Sequence, residues 1–380
     1  MHVLSLALDP KVLDPESVVA FRARAYGNIV DHYSIAVVSP ETVTVKLSDT
    51  TTAHGIGGKH KLVKLIQMYR FASKFIREKK CEVITSQDMY FLGLVGLVLA
   101  RRYHLGLEVQ VLGIEKLSPF RKRLAMFVMK RASVVRALSA RIQQRLITEF
   151  NIPAEKIVIV PIYVNVNQLG LDIRTLKGED AKRYEALSTD FKKKYGGNIN
   201  FLSVSRLVPI KRIEMHLTAL QNILPEAPHV MLHIVGTGPE EEALRQKVAT
   251  LGLDAHVIFH GYQTGYALGM FYIECDCFLL TSDYEGWGMV IVEAASAGIP
   301  IIMTDVGCAG ELIVDTVSGL VIPTNDVQAL STAMLKVVKN PIVRDTLSTG
   351  ATTALAHLPS FDDVLAQYKQ NWERALANRL

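Results

Sequence analysis

Glu285 and Glu293 stand eight positions apart in the stretch TSDYEGWGMVIVEAASAG, residues 281–298. The segment EGWG opens the interval, and a small-residue pattern beginning near Met289 reads as a helix. Gly286 and Gly288 allow a sharp turn and a close backbone approach to a ligand. The first amides of that helix lack intrahelical partners and carry partial positive charge, which suits a phosphate. Glu293 falls about one turn inside the helix and is a natural acceptor for two adjacent hydroxyls, as on a ribose. Glu285, ahead of the helix, is aimed at the other end of the same ligand. Taken singly, either glutamate reads better as a surface-loop acid stabilising a helix N-terminus. Only the whole run argues for a binding loop.

A second pair of charges lies in SRLVPIKR, where Arg206 and Lys211 are five apart at the end of an apolar strand. Two cations at such a place can neutralise a diphosphate leaving group, Arg as a planar fork and Lys as a compact charge. Alone, the pair would read as solvated loop bases. Gly236 follows another strand in HIVGTGPEEE, but Glu241 stands where a dinucleotide fingerprint needs its third glycine, which weakens a dehydrogenase reading. Asp9, Asp88 and Glu115 fall at the ends of further strands, where open α/β sheets bind ligands, and are candidate acceptor-side groups. As loop acids in solvent they read equally well.

The run E-G-W-G, a short apolar segment and E-A resembles the signature of the retaining glycosyltransferases of family 4. R-L-V-P-x-K resembles that family's diphosphate-binding turn, with Ser205 in place of the usual glycine. The resemblance spans most of the chain and is most specific over residues 201–323. It implies a GT-B fold, two Rossmann-like domains facing a central cleft. It also implies transfer of a sugar from a UDP- or GDP-linked donor to a hydroxyl, with retention of configuration and without a metal or other cofactor. On this resemblance Glu293 holds the ribose, Glu285 faces the donor sugar, and backbone around Met289 and Val290 meets the diphosphate. Trp287 is the aromatic of the signature, Gly236 opens the family's Gly-x-Gly-Pro turn near the nucleotide, and Gly261 and Tyr262 lie where relatives contact the base. Glu311 would open a helix after the turn DVGCAGEL, and Cys308 reads as a small turn residue there. The first half departs from the pattern. Ala7-Leu8-Asp9-Pro10 replaces paired glycines, and Leu112 stands where many members have a histidine. Ser86-Gln87-Asp88 does resemble a strand-end triplet of polysaccharide-forming members. A nucleotide-sugar epimerase and a non-catalytic nucleotide-sugar binder are the rival readings.

The elements that must position these residues alternate between short apolar strands and amphipathic helices, the pattern of parallel sheets covered on both faces. A chain of 380 residues is long for one core. The expected domains are 1–168, with a helix over 360–380 returning to it, and 169–359. Expected strands include His2–Leu8, Ser34–Val38, Val43–Leu47 and ECDCFLLTS, in which Cys275 and Cys277 would face one side. Four cysteines give no disulfide framework, and no metal-ligand spacing accompanies them. The N-terminus MHVLSLALDP has no basic region ahead of its apolar run, and the longest apolar stretch, Met89–Ala100, falls short of the ~20 residues of a membrane span. A cytoplasmic protein is expected.

The net charge is only +5, yet eleven bases face only Glu108 and Glu115 between Arg101 and Arg145. Arg121, Lys122, Arg123, Lys130 and Arg131 cluster beside Leu124, Phe127 and Val128. Residues 116–145 could therefore lie on an anionic membrane surface, on the inner membrane face, near a lipid-linked glycan acceptor. A helix packed on the sheet with a solvated basic face explains them equally. No nucleic-acid-binding module is recognisable.

Overall fold

Short apolar runs rich in Val, Ile and Leu make the strands of this protein, and the amphipathic segments between them close over both sheet faces. The computed structural model describes residues 1–58, 60–114, 117–169, 171 and 176–380. The chain divides into two compact units: Met1–Tyr163 with Pro359–Leu380, and Val164–Leu358.

The first unit contains β1 (His2–Ala7), α1 (Val18–Asn28), β2 (His32–Val38), β3 (Val43–Lys46), β4 (Thr51–Ile56) and α2 (Lys61–Lys79). It continues through β5 (Val83–Ser86), α3 (Phe91–Tyr103), β6 (Gly106–Val111), α4 (Pro119–Arg131), β7 (Val134–Ala137), α5 (Ala140–Phe150) and β8 (Ile157–Ile159). The sheet order is β3-β4-β2-β1-β5-β6-β7-β8, parallel except for the β3–β4 edge. Every residue of β1, β5, β6 and β7 is buried, as expected of parallel strands covered on both sides. Strand β4, TTAHGI, was not expected from the sequence. Its threonines and histidine mask it, and it forms because β2 pairs it from Tyr33↔Thr51 to Val38↔Ile56.

The second unit contains α6 (Gly178–Tyr195), β9 (Ile199–Val204), α7 (Ile213–Ile223), β10 (Val230–Val235), α8 (Glu241–Thr250), β11 (Val257–Phe259) and α9 (Gly265–Glu274). Then come β12 (Cys277–Leu280), α10 (Met289–Ala297), β13 (Ile301–Thr304), β14 (Leu320–Ile322), α11 (Val327–Lys339) and α12 (Pro341–Ala354). Its sheet is wholly parallel, in the order β11-β10-β9-β12-β13-β14. The order reverses between β9 and β12, the doubly wound pattern that leaves a ligand crevice at the C-terminal ends of those two strands. Two expectations are corrected here. Cys275 is the C-cap of α9, not a strand residue, so β12 starts at Cys277. No helix opens at Glu311; residues 305–319 run through turns stitched by the bridges Ala309↔Ile313 and Asp315↔Gly319.

The last helix, α13 (Phe361–Ala377), belongs to the first unit and starts with a capping box of Ser360 and Asp363. Asn371 and Trp372 on α13 donate to the buried carboxylate of Glu108 on β6, which Thr85 and Gln110 also reach. Arg136, counted from the sequence among the surface bases, is buried in this network. It donates to Gln110 Oε1 at 3.0 Å and to the Val160 carbonyl at 2.9 Å, and its guanidinium lies over the Tyr368 ring.

Candidate functional site

Two loops leave the C-terminal ends of β9 and β12, the neighbouring strands at which the second sheet reverses. The β9 loop carries Arg206 and Lys211; the β12 loop carries Glu285 and leads into α10. They meet in an ion pair between Lys211 Nζ and Glu285 Oε1, both side chains largely shielded from solvent. Ser282 Oγ donates to the same carboxylate oxygen at 2.7 Å, and Thr304 on β13 holds the Ser282 carbonyl at 2.7 Å. Arg206 is exposed, and its side chain makes no hydrogen bond or ion pair among the described residues.

The backbone under this pair is tied down from several sides. Thr281 Oγ1 lies 3.1 Å from the Lys211 carbonyl, 3.2 Å from that of Arg212 and 2.8 Å from His216 Nε2. Burial pushes the His216 imidazole down to about 3, which keeps it neutral. Arg212 takes φ 54, uncommon for a non-glycine, and its side chain reaches Glu214 at 3.2 Å and Asp283 at 3.6 Å.

The EGWG loop works differently from its expected form. Gly288 is the N-cap of α10 at φ 90, where only glycine is unstrained, and no side chain caps the helix. Its first amides, at Met289 and Val290, are thus offered outward. Gly286 does not take a positive φ. The Trp287 side chain is buried in the core beside Leu280, Ile291 and Cys308, while its carbonyl accepts the Cys308 amide at 2.9 Å. The buried Trp287 side chain thus anchors the loop to the core. Gly307, at φ 56, packs so closely on this loop that a Cβ would overlap the Trp287 carbonyl and Glu285.

Glu293 lies one turn along α10, half-buried, and accepts from the Tyr272 hydroxyl at 2.7 Å. Burial raises its carboxyl above the ordinary range, and the Tyr272 hydrogen bond opposes that rise. At the ends of β10 and β11, the Gly236 amide donates to the Gly261 carbonyl at 2.7 Å, and a Cβ on Gly236 would overlap the Ser205 carbonyl. Tyr262 is 71% exposed beside them. Arg206, Lys211, Gly236, Gly261, Tyr262, Glu285, Met289, Val290 and Glu293 thus all stand at or beside the C-terminal ends of β9–β12. Sequence reasoning missed Tyr272, Ser282, Thr281 and His216, which act through space and follow no spacing rule.

The first-unit candidates are occupied locally. Asp9 caps the short helix Pro10–Leu13, accepting the Lys11 amide at 3.0 Å. Asp88 accepts the Tyr90 and Leu92 amides at 3.0 and 2.9 Å at the start of α3. Glu115 lies outside the described residues. Among the described residues no group of three His, Cys, Asp or Glu could hold a metal, and no helix is long and apolar enough to cross a membrane.

Residues 188–353 match the family described as "Glycosyl transferases group 1". Over 145 residues the chain is 32% identical to a GDP-mannose-dependent alpha-(1-6)-phosphatidylinositol monomannoside mannosyltransferase of Mycolicibacterium smegmatis, covering 36% of this chain and 38% of that one. Among solved structures, Anabaena HepE in complex with UDP aligns with a TM-score of 0.76 at 20% identity, over 97% of this chain and 98% of that one. A sucrose-phosphate synthase from Thermosynechococcus elongatus aligns with 0.79 at 17% identity, over 99% and 100%. These two likenesses show the fold, which is GT-B.

Proposed function

We propose that this chain, whose residues 188–353 match the glycosyl transferases of group 1, transfers a sugar from a nucleotide diphosphate sugar to a hydroxyl acceptor with retention of configuration. The observation that carries the reading is the meeting of Lys211 and Glu285 at the reversal of the second sheet, beside the uncommitted Arg206 and the uncapped start of α10. Arg206, Lys211 and the α10 amides face the position where a diphosphate departs, and stabilise its growing charge without a metal. Glu293 grips the ribose and Glu285 the donor sugar, releasing Lys211 to the phosphate as the donor arrives. No side chain is assigned as a nucleophile; attack comes from the face the diphosphate leaves, and the departing phosphate oxygen takes the acceptor proton.

The names of the similar proteins support both donor classes, GDP-mannose for the mycobacterial relative and UDP-glucose for the Anabaena protein, whose structure is also solved with UDP-glucose bound. Calorimetry with UDP, GDP and ADP on the native protein and Glu293→Ala tests the site. One selectively bound nucleotide, weakened in the variant, is expected. A folded protein that binds none of the three would overturn the reading. Transfer assays with the sugars of the preferred nucleotide then identify the donor, and isomerised sugar without an acceptor would reveal an epimerase instead.

The acceptor in this proposal is part of a glycan, polysaccharide or glycolipid, met by the cytoplasmic protein at an anionic membrane surface. Exposed Phe120 and Phe127 beside exposed Arg121, Arg123, Lys130 and Arg131 on α4 support that part. Salt-sensitive co-sedimentation with anionic vesicles is expected, and equal binding to neutral vesicles would remove it.

A further inference from the structure

The Tyr272 side chain is 0% exposed on α9, its ring packed near Phe278 of β12 at 5.7 Å between centroids. A phenylalanine would fill the same apolar space. The hydroxyl is explained by one contact alone, its 2.7 Å hydrogen bond to Glu293 Oε2. The other carboxylate oxygen of Glu293 has no hydrogen bond among the described residues and is not sealed from solvent. One oxygen is thus held from the protein side and the other is left for a ligand.

We infer that Tyr272 is a positioning residue, fixing the Glu293 carboxylate so that it accepts from the adjacent hydroxyls of the donor's ribose. The inference rests on the ribose role given to Glu293 above. A glutamate side chain has three rotatable bonds, and a hydrogen bond from a fully packed ring removes most of that freedom before the ligand arrives. Packed against α10 are α9, α12, β13 and the turns at Val166–Leu169 and Leu355–His357. Among the described residues of these elements, Tyr272 is the one group that acts on the Glu293 charge; Glu274, on the same helix as Tyr272, is taken by Lys192 and Ser188. Burial holds the phenol protonated, hence always a donor, and its bond keeps the Glu293 carboxyl from rising further.

The test compares the preferred ribonucleotide with its 2′,3′-dideoxy form by calorimetry, across pH, in the native protein and Tyr272→Phe. In the native protein ribonucleotide binding falls as pH drops through the Glu293 carboxyl's range. In Tyr272→Phe that loss begins at higher pH, and the preference for ribose falls about tenfold, the worth of one hydrogen bond to a charged acceptor. Binding of the dideoxy form, which offers Glu293 neither hydroxyl, is unchanged. A variant that weakens ribo and dideoxy forms alike, or keeps the native preference and pH profile, overturns the inference while leaving the function reading intact. A native protein that binds no nucleotide overturns both. Thermal melting checks that Tyr272→Phe folds. If it does not, Tyr272→Phe is made in the Glu293→Ala background, where neither partner is left unpaired; there it has no further effect on nucleotide binding, and a further loss overturns the inference.

Discussion

The two units wind their sheets alike and use the ends of their strands differently. In the first, strand order reverses between β1 and β5, and Asp9 and Asp88 stand just past those strands. Both carboxylates are spent on backbone amides two to four residues away. In the second, reversal between β9 and β12 brings together Lys211 and Glu285, 74 positions apart, in a contact no local rule demands. The backbones differ as well. Among the described residues every glycine with positive φ lies between Gly178 and Gly310, in the second unit. The first unit's positive-φ residues are Lys80, His104 and Asn151, each ending a helix. Both sheets reverse their order, but in the second a long-range ion pair stands at the reversal.

The contrast can be broken at its strongest point first. Lys211→Ala should lower kcat/KM for sugar transfer by about 10²–10³, the usual cost of removing a group that stabilises departing charge, whereas Asp9→Asn should leave it within about threefold. Equal losses would erase the distinction between the two sheet ends. Gly236→Ala forces a Cβ into the Ser205 carbonyl at φ 133 and should cost about 2–4 kcal/mol in denaturant unfolding. Gly96→Ala in the first unit, at ordinary φ, is tight only against the tip of Leu107 at 3.1 Å, with Ile84 and Leu6 at ordinary contact distance, and should stay within about 1 kcal/mol.

The third test is a pH series. His216 has its folded value pushed down to about 3 from 6.5, so the unfolded chain takes its proton first as pH falls. Stability is fully present above about 6.5 and falls below it by about 1.4 kcal/mol per pH unit for this one group. His216→Gln should flatten the decline of the unfolding free energy between pH 6.5 and 5 by about that slope. The smallest effect sharpens the first unit's side of the comparison: Asp88→Ala should cost about 1 kcal/mol of stability through the lost cap and leave nucleotide binding unchanged.

Much of the fold was legible because apolar runs and helical periodicity are local. The strands at β1, β2, β5, β9 and β13 and the caps at Ser17 and Ser139 follow from adjacent residues. Strand β4 was hidden, since its polar residues become strand only through pairing with β2. The expected helix at Glu311 failed because the turns there serve the EGWG loop, with Gly307 packed against Glu285 and Cys308 donating to Trp287. Arg136 counted as surface charge until α13 and β6 buried it.

By itself, the sequence determined the chemistry available: two glutamates on a glycine loop, two cations on another, and a helix start between Gly288 and Glu293. Types and near-neighbour spacing suffice for that, because turns and caps are set by a few consecutive residues. Tertiary structure alone decided which groups touch. It set β9 beside β12 so that Lys211 meets Glu285, turned Trp287 inward, and stood Tyr272 under Glu293 from another helix. Those contacts join residues 21 and 74 positions apart, and only the packing of whole elements, each burying its apolar face, fixes such distances.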